Sequence, residues 1–429
     1  MRRVLLVLVA SALVFPASIA RADEITDWTR HLFQSAKDTN TNPTTMARNA
    51  AIVHVAVFDA FNGVDPVYNY FRVAPDAVAT DGASARAAAV QAAYVILSKL
   101  YPTEAGDLLA QRTASLAGIP ESATAIAKGV DWGQTVADAI WAFAQTDGFS
   151  AVAPPYSGGD AIGEWRSLTT PRTNGAGLQF PAMRPWVIRA TSQFRPDEPP
   201  ALDSEQYAAD FNETQQQTIL AVGTPSSNEA QNALFWNAGT ASQLWNSVAL
   251  ALSEQAGLSA SQNAQLFARL SMSVADSALA CWDAKYTYKF WRPSTAIDQA
   301  HLDGNPLTTK DPDWTTTLFV TPNHPEYPSG HSCLSGAAAQ ILSRYFGERT
   351  EFDVVTDRLV DSNGDAVKQH YVSFSDALGA VVEARVFAGI HFRTACEVGQ
   401  ALGSKVAQFV LTHAATPLKG GKKVGQLLE

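Results

Sequence analysis

The stretch HPEYPSGHS, residues 324–332, precedes an apolar helix-forming run, CLSGAAAQILSRYFG. Its prolines stiffen a turn, and its last residues stand where the helix begins. The N-terminus of a helix carries unpaired N–H groups and a partial positive charge, so it binds anions. Ser329 adds a hydroxyl donor, and Gly330 lets an oxyanion approach its amide without a Cβ in the way. His331 can gain or lose a proton near neutral pH. The stretch predicts an oxyanion site, although a Pro-Ser-Gly helix start is common by itself.

Two other segments carry cations. KYTYKFWRP places Lys285 and Arg292 seven residues apart, close to two turns of a continuous helix, so both would project from one face. ARVFAGIH places Arg385 six residues before His391. The three cations together could hold a tetrahedral or trigonal-bipyramidal oxyanion, and the planar fork of arginine suits this task. Each cation alone is more often a solvated surface residue, but the ordered combination is much harder to obtain by chance.

These three motifs resemble those of the superfamily of type 2 phosphatidic acid phosphatases and vanadium-dependent haloperoxidases. The family pattern is Lys-x6-Arg-Pro, then Pro-Ser-Gly-His, then Ser-Arg-x5-His-x3-Asp, and the motif region here covers residues 282–391. The long helical chain ahead of it is similar to the haloperoxidase branch, because the phosphatases are usually shorter. The resemblance is specific in the motifs and looser in the first 200 residues.

Two positions depart from that pattern. Ala384 replaces the serine before the motif arginine, and Ala395 replaces the aspartate four residues past His391. In the family this aspartate supports the histidine, so its absence predicts that His391 lacks its expected partner. This departure also favours a third reading, a catalytically weak oxyanion-binding relative.

The resemblance implies vanadate as the cofactor and His391 as the one protein ligand of vanadium. His331 would act as acid–base at the opposite, apical oxygen. The equatorial oxygens would be bound by Lys285, Arg292, Arg385, the Ser329 hydroxyl and the Gly330 amide. The implied reaction is the oxidation of halide by hydrogen peroxide to a hypohalous species, with a small organic acceptor left open. The alternative is an exported acid phosphatase, in which the second histidine attacks the phosphoryl group and the first protonates the leaving group.

His324 bears on the choice of halide. The bromoperoxidases of the family carry a histidine at the matching position, seven residues before the Pro-Ser-Gly-His histidine, where a chloroperoxidase has phenylalanine. Trp282 matches an aromatic residue beside the vanadate in chloroperoxidases. We expect His324 to be hydrogen-bonded near His331 and, when charged, to attract bromide, so bromide and iodide should be preferred to chloride. The structural alternatives are a turn histidine and a core tryptophan.

Composition narrows the partners. The chain has 429 residues, 46% of them hydrophobic and 17% charged, and a net charge of −10. These values are typical of a soluble globular protein, and the negative charge argues against nucleic acid or an anionic membrane surface as a partner. The oligomeric state is left open.

The N-terminus predicts export. MRR is followed by an apolar run and by ARA before Asp23, which together read as a secretory signal peptide over residues 1–22. A membrane anchor is the weaker alternative, because Pro16 interrupts a run already short for a span. A periplasmic or secreted location follows, by a route left open.

The three cysteines, Cys281, Cys333 and Cys396, do not form a disulfide framework. One disulfide with a free thiol and three buried thiols both stay open.

Helical periodicity dominates the rest of the chain, so we predict an all-α fold built of helical bundles. Strand signals are scarce, and the best is EFDVVTDRLV, residues 351–360. The helices are predicted at 44–64, 85–101, 103–119, 122–145, 203–222, 227–256, 259–292, 331–346, 374–392 and 396–414.

Residues 151–200 hold eight prolines and five glycines but also several large aromatic residues. We therefore predict an ordered segment wrapped across the helices rather than a linker. The predicted organisation is a signal peptide (1–22), an N-terminal helical part (23–200), a helical bundle with the oxyanion site (201–415) and a mobile tail (416–429).

Overall fold

A computed structural model describes residues 23–224, 226–316 and 320–418. Within these ranges the chain forms fourteen α-helices and one two-stranded antiparallel sheet, so the predicted all-α class is confirmed. The elements are α1 (Glu24–Asp38), α2 (Pro43–Val64), α3 (Ala77–Thr80), α4 (Ala85–Leu100), α5 (Ala105–Ala117), α6 (Ala123–Gln145), α7 (Glu205–Gly223), α8 (Asn228–Ala238), α9 (Ala241–Gln255), α10 (Ala260–Tyr288), α11 (Pro293–Asp298), α12 (Gly330–Phe346), β1 (Phe352–Val360), β2 (Ala366–Tyr371), α13 (Phe374–Phe387) and α14 (Arg393–His413).

Side-chain caps fix where the main helices begin. Ser259 starts α10 with a capping box, in which its hydroxyl accepts from the Gln262 N–H while the Gln262 side chain accepts from the Ser259 N–H. Ser329 starts α12, accepting from the Ser332 N–H at 3.5 Å. The serine of the opening stretch is therefore the N-cap of its helix.

Helix α10 lies at the centre of the fold and packs against α2, α12 and α14. Helices α12 and α14 approach each other very closely, because two glycines face the opposite backbone. A side chain at Gly403 would overlap the Cys333 carbonyl, and one at Gly336 would overlap the backbone of Gln400. This contact holds the first turn of α12 in a fixed place.

Three predicted helices end earlier than their periodicity indicated, and one of them, 374–392, stops at Phe387. The predicted helix 227–256 is divided into α8 and α9, because Thr240 caps a new start. The predicted helix 259–292 stops at Tyr288, and Lys289 has a left-handed φ of 52°. Arg292 is thus the residue before α11 rather than a member of α10, and the expectation that it shares a helical face with Lys285 is wrong.

The predicted strand at 351–360 is present as β1. It pairs with β2, which the sequence analysis did not predict, in a register that sets Phe352 opposite Tyr371. Both of these aromatic residues are buried. Phe352 packs against Trp245 of α9 and Phe374 of α13, and Tyr371 packs against Trp236 of α8. The small sheet therefore covers one end of the bundle.

The Pro/Gly-rich segment 151–200 is ordered and packed, as predicted. It has no α-helix or named strand, but Trp165 and Phe180 are buried. Asp276 of α10 anchors it, because the buried carboxylate accepts three backbone N–H groups. These donors are Trp186 at 2.7 Å, Val187 at 2.8 Å and Ile188 at 3.0 Å.

The end of the described chain is also anchored. Residues 416–418, which the sequence analysis assigned to a mobile tail, pair with residues 67–69 through backbone hydrogen bonds. The rest of the predicted tail and the predicted signal peptide lie outside the described residues. The largest core cluster combines side chains from before and after residue 200. None of the helices in the described ranges is long and apolar enough to cross a membrane.

Candidate oxyanion site

Segments far apart in the sequence meet at the C-terminal end of α10. They are that helix end, the stretch before α11, the loop 322–329, the start of α12 and the chain from the end of α13 to His391. A cavity of about 500 Å³ opens beside them. Of the predicted site residues, the cavity is lined by Trp282, His324, Gly330, His331, Arg385 and His391.

Lys285 is fully buried beneath this cavity. Its ammonium group donates to the carbonyl oxygens of Pro325 at 2.8 Å, Glu326 at 3.0 Å and Pro328 at 2.5 Å. Burial lowers the pKa of Lys285 to about 8. An ammonium group has three hydrogens, so these carbonyls use all of its donors. Lys285 here organises the loop before Ser329, and binding an oxyanion directly requires it to release a carbonyl.

Arg292 is also fully buried and holds the same loop from the other side. It donates to the carbonyl oxygens of Pro322, His324 and Ile390 at 3.2, 2.9 and 2.6 Å. Its Nη1 lies 3.1 Å from His391 Nε2, and its Nη2 lies 3.1 Å from His324 Nδ1. Burial lowers the pKa of Arg292 to about 10. The Arg292 guanidinium therefore links His324 and His391 to the loop.

His391 follows α13 in the short chain before α14 and is 3% exposed. A guanidinium can only donate, so the contact with Arg292 requires a lone pair on His391 Nε2. The proton of the neutral ring is then on Nδ1, which lies 2.9 Å from Glu326 Oε1. Burial, together with the charges of Arg292 and Lys285, lowers the pKa of His391 well below its usual value. The ring is neutral, with its Nε2 lone pair directed toward the cations.

The expectation that His391 lacks a carboxylate partner is wrong, because Glu326 supplies one. Its Oε1 also accepts from the Phe392 N–H at 3.0 Å. Burial raises the pKa of Glu326 to about 8, against the effect of Arg292 and Lys285. Sequence reasoning missed this residue, although one signal was present. A buried cluster of three cations requires a compensating acid, and Glu326 is the acidic residue inside the opening stretch.

Arg385 and His331 both carry polar atoms without partners in the site. Nε and Nη2 of Arg385 and Nε2 of His331 are buried and have no hydrogen-bond partner within residues 23–224, 226–316 and 320–418. Burial lowers the pKa of Arg385 to about 10. Burial and the Arg385 charge lower the pKa of His331 well below its usual value. Such atoms are costly unless a ligand pairs with them, so they point to an anion.

Ser329 and Gly330 lie at the start of α12, where backbone N–H groups lack partners inside the helix. Gly330 lines the cavity, and a Cβ at this position would stand 3.1 Å from the Trp282 ring. Ser329 is fully buried. The helix start thus offers an amide in a place where a larger residue would press on Trp282.

His324 and Trp282 form a wall of the cavity, with ring centroids 5.0 Å apart. Trp282 Nε1 donates to the Ala176 carbonyl at 2.9 Å, which ties this wall to segment 151–200. His324 bonds to Arg292 rather than to His331. Burial and the charges of Lys285 and Arg292 lower the pKa of His324 well below its usual value. The expectation of a charged His324 beside His331 is therefore wrong, because two cations already surround its ring.

All three cysteines are buried free thiols. Cys281 of α10 and Cys333 of α12 face each other behind Lys285, with 2.7 Å between their sulfur atoms. No group of three or more His, Cys, Asp or Glu side chains in the described parts of the chain could hold a metal ion. The site is instead a set of cations and helix N–H groups around one imidazole lone pair.

This helical fold has a cationic pocket that could hold an oxyanion, and it is similar to known proteins. The family model described as the VCPO second helical-bundle domain matches residues 265–420, which contain all of the predicted site residues. Vanadium chloroperoxidase of Curvularia inaequalis is 24% identical over 382 residues. That match covers 72% of this chain and 62% of the length of the fungal protein.

Solved structures show the same fold. The first bacterial vanadium-dependent iodoperoxidase superposes with a TM-score of 0.79 at 24% identity, covering 92% of this chain and 97% of that one. The holo form of a bacterial vanadium-dependent chloroperoxidase superposes with a TM-score of 0.67 at 17% identity. That match covers 92% of this chain and 93% of the chloroperoxidase chain. The family model over the motif region confirms the resemblance predicted from the three motifs, and the solved structures show the same helical fold.

Proposed function

We propose that this protein is a vanadium-dependent haloperoxidase, which converts hydrogen peroxide, a halide ion and a proton into a hypohalous acid and water. The observation that carries the proposal is the set of buried nitrogens without partners on Arg385 and His331, together with the lone pair on His391 Nε2 that faces Arg292. Cations and oriented dipoles in a water-poor pocket stabilise an oxyanion strongly.

The residues fit vanadate. Arg385 supplies a guanidinium with free donors, the first turn of α12 supplies N–H groups, and His391 Nε2 supplies one neutral nitrogen ligand. Ser329 and, after release of loop carbonyls, Lys285 and Arg292 would complete the set. Bound vanadate supplies Lewis-acid activation of peroxide without a change in its own oxidation state.

The protein's own groups then have separate tasks. The cations would neutralise the charge of a bound oxyanion. His331 would accept a proton from hydrogen peroxide at Nε2 and later return it. Its lowered pKa leaves it neutral, and therefore able to accept, in the protein without an anion. Trp282 and Phe180, packed edge to face at 5.8 Å, keep water from one side of the pocket.

We infer that bromide and iodide are the preferred halides. Chloride is harder to oxidise, so it demands a more strongly activated peroxide. Here the Arg292 guanidinium donates hydrogen bonds to His324 and to three carbonyl oxygens. These bonds reduce the positive charge that is available to the oxyanion. The likeness to an iodoperoxidase structure supports the same order.

The cavity also has room for a small organic acceptor. Its volume of about 500 Å³ is many times the ~30 Å³ share of a water molecule in the liquid. Phe149, Phe180 and Trp282 line it, so an apolar or aromatic acceptor is the best chemical match. Export remains our proposal from the sequence of residues 1–22 alone.

One assay tests the proposal. Purified protein, stripped of oxyanions in phosphate-free buffer, is given orthovanadate or none and assayed for peroxide-dependent bromination of a dye and for phenyl phosphate hydrolysis. We expect orthovanadate to switch on bromination. Hydrolysis that orthovanadate inhibits, without bromination, would identify the acid phosphatase instead. Orthovanadate binding with neither activity would identify a catalytically weak relative. The exposed His370, on β2, provides a control variant, His370→Ala, that should behave as the wild type.

A further inference from the structure

We propose that Glu326 is a positioning residue, which orients the His391 ring and fixes its tautomer so that Nε2 keeps the lone pair needed to bind vanadium. The inference rests on the proposed function, because it concerns the same oxyanion site. It begins from a contact between residues 65 positions apart in the chain.

The contact itself is short and sheltered. Glu326 Oε1 lies 2.9 Å from His391 Nδ1, and the two side chains are 1% and 4% exposed. The same oxygen accepts the N–H of Phe392, the residue next to His391, at 3.0 Å. One carboxyl oxygen therefore fixes both the ring and the backbone that carries it, which leaves the ring little freedom to rotate.

Two opposed contacts determine the tautomer. Arg292 Nη1 lies 3.1 Å from Nε2 on one side of the ring, and it can only donate. Glu326 Oε1, on the other side, accepts from Nδ1. The opposite tautomer would set two donors against each other at Nε2 and two acceptors against each other at Nδ1.

Glu326 is itself held rigidly. Its backbone N–H donates to the Phe290 carbonyl at 3.0 Å, and its carbonyl accepts from Lys285 at 3.0 Å. Its Oε2 has no hydrogen-bond partner among the residues that the structure describes. A proton on Oε2 would leave Oε1 free to accept, so the positioning role does not depend on the charge of the carboxyl group.

This arrangement explains how His391 can lack the acidic residue that the family pattern sets four positions further on, where Ala395 stands. Here the carboxyl group that contacts the histidine comes instead from the loop before α12. Partners of this kind typically change metal affinity by about 10–100-fold when they are removed.

The test is a double-mutant cycle read out as orthovanadate affinity by isothermal titration calorimetry. Glu326→Met removes the acceptor, and we expect it to weaken orthovanadate binding by about 10–100-fold. Glu326→Gln keeps an acceptor oxygen of the same reach, so it should remain within a few-fold of the wild type. In a His391→Ala background, Glu326→Met should leave the remaining affinity unchanged to within about twofold. An equal loss in that background would overturn the proposal, because Glu326 would then act without His391.

A second readout needs neither vanadate nor activity. Nitrogen-15 NMR of histidine-labelled protein should show His391 with a protonated Nδ1 and an unprotonated Nε2 in the wild type and in Glu326→Gln. In Glu326→Met, Arg292 still favours this tautomer but nothing at position 326 accepts from Nδ1, so a fraction of the other tautomer should appear in exchange with it. An unchanged tautomer in Glu326→Met would overturn the proposal even if vanadate affinity fell. If the wild type fails to brominate, the proposed function fails, while the NMR result still decides the role of Glu326.

A matched control separates positioning from general destabilisation. Asp59 is a buried carboxylate that accepts the N–H groups of Phe71, Arg72 and Val73 and does not line the cavity. Asp59→Asn should lower the melting temperature without changing orthovanadate affinity or the His391 tautomer. Loss of affinity in this control equal to that in Glu326→Met would overturn the inference.

Discussion

Arg292 Nη1 lies 3.1 Å from His391 Nε2, so a fully buried cation of the site faces the lone pair of the proposed metal ligand. Both side chains are almost fully buried, and Arg292 is further linked to His324 and to the carbonyl of Ile390. An oxyanion that enters here can break the contact between Arg292 and His391 and contact each of these side chains instead. The cations and the nitrogen ligand therefore act as one unit, although they come from different segments of the chain.

Removing the ligand nitrogen should separate binding from turnover. In His391→Ala, halide oxidation should fall to the background of the protein without orthovanadate, since the one nitrogen bond to vanadium is lost. Orthovanadate should still bind weakly through Arg385 and the start of α12. Bromination rates and calorimetric affinity, measured on the same preparation, check both parts. Wild-type turnover in this variant would mean that another group is the ligand.

Removing a free cation should stabilise the fold while it abolishes binding. Arg385 is 3% exposed, and two of its guanidinium nitrogens lack partners among the described residues. Arg385→Met keeps a similar volume and removes this cost, so we expect the free energy of unfolding to rise by about 1–3 kcal/mol. Excess orthovanadate should stabilise the wild type, by ~2.7 kcal/mol at a hundred times the dissociation constant, and leave the variant unchanged. Thermal unfolding with and without orthovanadate measures both effects, and a destabilised variant would show that Arg385 has partners in solution.

The sequence predicted most of the site because chemistry fixes the residue types and their order. Cations, a helix N-terminus and two histidines can be recognised without coordinates. The course of the backbone at the end of α10 could not be predicted in the same way, because the helical pattern of the sequence continues past Tyr288 while the backbone turns at Lys289. Glu326 was missed for another reason. Its partner is far along the chain, and no periodicity connects a loop carboxylate with a distant histidine.

The anchoring of segment 151–200 gives a prediction about stability. Asp276→Ala leaves three N–H groups, at residues 186–188, without their acceptor. Each unsatisfied buried donor costs about 1–3 kcal/mol, so the loss should be about 3 kcal/mol or more. Urea unfolding should show a lower midpoint with an unchanged slope. Asp138→Ala, which removes an exposed ion pair with Lys99, serves as the control and should cost no more than about 1 kcal/mol. Equal losses in the two variants would mean that Asp276 does not anchor the segment.

Halide preference should depend on the contact between the His324 ring and the Arg292 guanidinium. Burial and two neighbouring cations lower the pKa of His324, so its ring is neutral near pH 7 and becomes charged only in acid. In acid, the charged ring would repel Arg292 and disturb the site. His324→Phe removes both the contact with Arg292 Nη2 and this titration. The freed donor can then strengthen the activation of peroxide, so we expect a higher ratio of chloride to bromide oxidation and a pH profile that extends to lower pH. Steady-state rates with each halide across the acid range measure both changes.

Asn323→Ala, at the rim of the same cavity, is the matched control. A wild type that oxidises chloride as readily as bromide, or a His324→Phe variant with an unaltered profile, would contradict this account.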